Sequence, residues 1–135
     1  NHNAKKLFKI VLDLENYPIF IPWCSSMIIH SQSSNEIFAD MYVSYRFIFT
    51  QRFGSHVIFD KKKLKIQTNY IEGPLKDLKT KWLFQSLEKK KTIIKFTVDF
   101  QFKSFIHQKI AETFYPLIET KMIESFKLRA DQILN

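Results

Sequence analysis

The chain has 135 residues, enough to close one hydrophobic core without disulfides or a structural metal. Its 45% hydrophobic and 16% aromatic content argues against disorder, and a formal net charge of +8 favours polyanionic partners: nucleic acid, the ribosome or an anionic membrane surface. The lone cysteine, Cys24, excludes an internal disulfide, and His2, His30, His56 and His107 lack the spacing of a zinc site, so a reduced, metal-free single domain over residues 1–135 is expected.

In chain order, Leu7, Phe8, Val11 and Leu12 carry the three-and-four spacing of a short amphipathic helix over Ala4 to Leu14, with Asn3 as its N-cap. The helix should end before Tyr17, because the residue ahead of Pro18 is pushed out of the helical region. NYPIFIPWC then follows as a fixed connection. Beyond Ser25 the period becomes two. Ile37, Ala39, Met41 and Val43 share one face; Phe47, Phe49, Phe53, Val57 and Phe59 share the next, opposite Thr50, Arg52 and His56, with Gln51 and Ser55 on the apolar side. Leu64, Ile66, Thr68 and Tyr70 continue the pattern, Gly73-Pro74 punctuates it, and a strand with Trp82 and Phe84 comes next. In TIIKFTVDFQF, Ile94, Phe96, Val98, Phe100 and Phe102 oppose Lys95, Thr97, Asp99 and Gln101, the signature of a one-sided antiparallel sheet. From Ser104 onward Ile110, Phe114, Ile118, Met122, Phe126, Ala130 and Ile133 mark a long helix, which Pro116 should kink or split near Glu112 to Pro116. The fold class is α+β, with the long helix covering the apolar face of the sheet. No apolar run approaches the ~18 residues of a membrane span.

Three stretches in this order, LENYPIFIPWC, EGPLKDLKTKWLF and VDFQFKSFIHQKI followed by MIESFKLRA, resemble the coenzyme Q-binding START-like proteins of alphaproteobacteria and mitochondria. Close relatives of that family, within the polyketide cyclase/START superfamily, are described as ribosome-association toxins. The resemblance runs from about Ala4 to Leu134 and implies a helix-grip fold: a curved antiparallel sheet around a long C-terminal helix, with a lipid-sized cavity between them. It also implies a strand ahead of the first helix, absent from the supplied residues, that would pair beside Thr92 to Phe102. That strand should therefore have a ladder partner on one side only, and its open edge could support self-association. As function, the resemblance implies non-catalytic binding of a hydrophobic lipid, ubiquinone first, in support of respiration or quinone biosynthesis. No cofactor is required, and the expected place is the cytoplasm or the periphery of the inner membrane. A ribosome-binding regulator and an aromatase or cyclase are the alternatives; PWC and QRFGSHV look nearer the quinone branch.

The residues themselves offer little for catalysis. Cys24 has only a distant His30, Asp99 and Glu72 read as solvated carboxylates, and no glycine-rich phosphate loop occurs. Met41, Phe49, Tyr70, Trp82, Phe100, Phe114, Ile118, Met122 and Phe126 point inward by period, either as core or as cavity lining. Gln51 and Ser55 need polar partners on that face, which a quinone carbonyl, a water or the backbone could supply. Phe20 and Trp23 form either the lip of a cavity or a plug of the core end. Lys61, Lys62 and Lys63, and Lys89, Lys90 and Lys91, fall between strands, as solvated hairpin tips or as one basic patch for lipid head groups or ribosomal RNA.

Overall fold

The computed structural model describes residues 2–45, 49–73, 75–88 and 91–134, leaving aside the side chains of Tyr45, Phe49, Thr50, His107, Ile110, Ala111 and Phe114. Helix α1 (Ala4–Leu12) starts at Asn3, whose side-chain oxygen accepts from the amides of Lys5 and Lys6 at 2.9 and 3.3 Å. As expected, α1 ends before Tyr17, at Leu12, but the residue ahead of Pro18 is itself helical. A 3-10 turn, Leu14–Asn16, runs into one helical turn, α2 (Tyr17–Phe20), with Pro18 in its first positions. Proline is tolerated there because first-turn amides have no intrahelical acceptor. Tyr17 stays helical because its ring packs edge-on against Phe20 and Phe126 and its hydroxyl donates to the Val11 carbonyl.

Six strands follow as an antiparallel meander in chain order: β1 (Cys24–Gln32), β2 (Glu36–Tyr45), β3 (Phe49–Asp60), β4 (Lys65–Glu72), β5 (Leu75–Glu88) and β6 (Lys91–Phe102). Strand β1 has no clean alternation because its register slips between Cys24 and Ser26 and again between Ile29 and Ser31. Leu64, expected on a strand, instead closes the β3–β4 turn at φ 54, and Asp60 anchors that turn by accepting from the amides of Lys62 and Lys63. Among the described residues β6 is bonded only to β5, as expected, and β1 is the other open edge.

The chain ends in α3 (Phe105–Leu134), which continues through Pro116 without the expected split. A proline removes one donor from a helix of 30 residues, and the helix runs on at either side of it. Near its end, α3 meets the start of the chain: Asp131 pairs with His2 at 2.7 Å, and the Thr92 hydroxyl donates to the His2 carbonyl at 2.7 Å. The sheet, α1 and the second half of α3 enclose the core, where Phe8, Ile37, Val57, Phe59, Ile66, Trp82, Phe84, Phe126 and Ala130 are buried. The architecture is a helix-grip α+β fold.

Candidate functional site

Because a meander returns every second strand, the β1–β2, β3–β4 and β5–β6 connections share one end of the sheet, and the β2–β3 and β4–β5 connections share the other. At the first end the inner face is closed. Trp82 touches Phe84, Phe96 and Phe126 with ring centroids 5.9, 4.3 and 5.3 Å apart, and Phe8 meets Phe84 at 5.8 Å. Toward the second end, where α3 begins, inward-facing Phe53, Ser55, Tyr70, Leu78, Val98 and Phe100 are only half-buried. The first half of α3 turns Tyr115 toward Phe100, while Phe105, Ile106, Leu117 and Ile118 are exposed, Ile106 and Leu117 on the helix face opposite Tyr115. One half of the grip is thus a packed core, and in the other the inner face is only half-buried.

The expected lining residues divide between these halves. Trp82 and Phe126 lie in the packed core, and Phe20, Trp23, Met41 and Met122 lie against it. Tyr70 and Phe100 lie in the open half, where Tyr70 meets Phe53 at 6.2 Å and its hydroxyl accepts from the Leu75 amide at 2.9 Å. Phe100 meets Tyr115 at 5.3 Å, so Tyr115, missed in the sequence, takes the inward place on α3 while Ile118 is 48% exposed. Ile133, expected on the same stripe, is 49% exposed. Inward Tyr115, Glu119, Met122 and Phe126 advance by four, three and four, which bypasses Ile118, and beyond Ala130 the packed position is Leu134, four on, rather than Ile133, three on. Gln51 and Ser55 are half-buried on the inner face. The side chains of Phe49 and Phe114 lie outside the described residues.

Phe20 and Trp23 stand at the border of the two halves. Phe20 packs on Phe126 at 5.2 Å and lies under the Arg129 guanidinium at 5.3 Å, while the Trp23 carbonyl accepts from the Ser44 amide at the far end of β2. Beside them burial pushes the Cys24 thiol up to about 11, away from a reactive thiolate at neutral pH. Tyr17 is likewise raised, by burial and then by Cys24 and Asp13.

The outer face carries charge. Asp40, 9% exposed, is bonded by His30 at 2.8 Å and Arg52 at 3.2 Å, and Arg52 reaches Glu72 at 2.7 Å. Burial would raise the Asp40 carboxyl, but the His30 hydrogen bond and the Arg52 charge outweigh it and hold it below the usual carboxylate range. Phe38 stacks on His56 at 4.2 Å on the same face. Farther across, a groove of about 770 Å³ is lined by Lys61, Lys62, Lys65, Lys81 and Lys95. A second groove, of about 490 Å³, lies between α1 and the β3–β4 turn, with Lys5, Lys9 and Lys61 at its rim. Lys61 to Lys63 form the expected turn; Lys91 opens β6, and Lys89 and Lys90 lie outside the described residues. The lysine row was missed in sequence because its members come from three strands, visible only as alternate outward positions once the pairing is known.

Residues 1–127 match the family described as polyketide cyclase / dehydrase and lipid transport. The chain belongs to this family. It is 30% identical to the ribosome association toxin RatA of Rickettsia prowazekii, over 98% of this chain and 92% of that protein. It is also 26% identical to the mitochondrial coenzyme Q-binding protein COQ10 homolog B of Xenopus laevis, over 97% of this chain but 54% of that protein. Among solved structures, the Zhui aromatase/cyclase from a Streptomyces species superposes with a TM-score of 0.89, covering 99% of this chain and 90% of that one at 13% identity, a likeness of fold alone. The nearness of PWC and QRFGSHV to the quinone branch is therefore not matched by overall identity, which is higher to the toxin. Among the described residues no helix is long and apolar enough to cross a membrane.

Proposed function

We propose that the chain is a non-catalytic carrier of a hydrophobic lipid, an isoprenoid quinone such as ubiquinone, held between the open half of the inner face and the first half of α3. One observation carries this reading: the same sheet face that is sealed at one end leaves Phe53, Tyr70, Val98 and Phe100 half-buried at the other, where half-buried Tyr115 of α3 meets Phe100. Apolar surface left partly in water there gains about 0.8 kcal/mol for each ligand methylene it buries. Phe20 and Trp23 border the gap as its lip, and Gln51 and Ser55 supply polar groups on the same face for a ring carbonyl. The family description, which includes lipid transport, and the coenzyme Q-named relative support the ligand class.

The test is mass spectrometry of an organic extract of the purified protein, with titration by quinones of increasing tail length. Affinity should rise with each added isoprene unit until the gap is filled. An extract indistinguishable from a mock purification, together with no tail-length dependence, would refute the reading.

A second reading, association with the ribosome, is supported by the toxin-named relatives and by the net charge of +8. It makes use of the opposite face of the sheet.

A further inference from the structure

The outer groove has features of a polyanion track. Lys65 lies opposite Leu83 and Leu83 opposite Lys95, so the three positions cross β4, β5 and β6 in one row. At the spacing of adjacent strands, Lys65 and Lys95 are about 10 Å apart, and Lys81, two residues along β5, is about 7 Å from the row. These separations are about one Debye length, so the ammonium groups act as one field at physiological salt. Lys61 and Lys62 extend the row at the β3–β4 turn. The carboxylate in the groove, Asp60, is engaged by the amides of Lys62 and Lys63 at 2.9 Å each. Among the described residues none of the five lysines is ion-paired.

We infer that this groove binds the phosphate backbone of a single RNA strand. The inference rests on the ribosome reading and names the surface and chemistry that reading would use. The ribosome reading, carried by the toxin-named relatives, selects RNA over an anionic bilayer; Ile58, 41% exposed, and half-buried Leu83 lie among the lysines. Gln67 and Thr97, also in the groove, offer hydrogen bonds to phosphate or ribose. The aromatic rings beside the groove, Phe59 and Trp82, are 5% and 8% exposed, so base stacking is unavailable and binding is sequence-independent and salt-sensitive.

The experiment measures anisotropy of a labelled single-stranded RNA oligonucleotide with the full chain from 0.05 to 0.3 M salt. The groove variant Lys65→Gln/Lys81→Gln/Lys95→Gln is set against Lys109→Gln/Lys121→Gln/Lys127→Gln on α3, which removes equal charge elsewhere. Each single-strand phosphate contact contributes about 0.7 to the slope of log affinity against log salt. Loss of three contacts should therefore make the slope shallower by about 2 and weaken binding about a hundredfold at 0.1 M salt. The α3 variant should bind as wild type does. Equal weakening in both variants would overturn the groove, since net charge alone would then explain binding. So would loss in the groove variant of binding to phosphatidylserine vesicles with RNA binding intact. Ribosome pelleting separates the two levels: pelleting that survives in the groove variant overturns the groove and leaves the ribosome reading standing. Groove-dependent RNA binding without any wild-type pelleting overturns the ribosome reading and leaves the groove.

Discussion

Gly73 has φ +148, and a Cβ there would come within 2.7 Å of the Arg52 carbonyl oxygen and 2.8 Å of the Tyr70 hydroxyl. Both the backbone region and the space exclude a side chain, so Gly73→Ala should cost more than about 1 kcal/mol, read as a lower urea midpoint at unchanged slope. An unchanged midpoint would show that the β4–β5 turn relaxes without loss. Across the sheet, Asp40 couples stability to pH. Its carboxyl is held low when folded and returns to an ordinary value when unfolded, so the folded state binds fewer protons as acid is added. Its contribution is complete above the unfolded value of about 4 and is lost as pH falls through the folded one. Asp40→Asn should flatten the acid limb of the stability curve and remove about 1–3 kcal/mol at neutral pH. If the acid limb kept its shape, the carboxylate would not be the coupled group.

At the scale of elements, what was legible followed from unbroken periodicity. Strand β6 alternates without a bulge within Thr92 to Gln101, so its two faces were readable, although Ile94 near its start is 41% exposed, whereas β1 changes phase twice and was not readable. Leu64 kept the strand period in sequence but lies in a turn, because the Asp60 side chain sets that turn locally, before the apolar pattern can act. The α2 turn shows tertiary contacts overriding a local preference: Tyr17 precedes a proline yet stays helical, held by Val11, Phe20 and Phe126. Tyr17→Phe keeps the ring contacts and removes the hydroxyl bond, so it should lower stability by about 1 kcal/mol in chemical denaturation. A neutral result would place the whole preference in ring packing. The open half of the site was only partly legible, since alternation identifies which face looks inward but not how closely a helix approaches it.

For the whole molecule, the division between a packed and an open half means that stability and ligand retention should be separable by substitution. Phe126 touches Tyr17, Phe20 and Trp82 and is 9% exposed, so removing its ring leaves a cavity among groups that cannot close it. Phe126→Ala should destabilise by about 3–5 kcal/mol, a fall in Tm of more than about 10 °C. Phe100 lies half-buried in the other half, with Phe102 and Tyr115 as its ring partners at 6.2 and 5.3 Å. Because water already reaches it, Phe100→Ala should lower stability by only about 1–2 kcal/mol. In the proposed carrier, however, that ring meets the lipid, and its loss should weaken quinone binding in a titration at a temperature where both variants are folded. The pair is decisive in combination. If Phe126→Ala reduced retention and Phe100→Ala did not, the ligand would lie within the packed end, and the open half would have to be explained by another use.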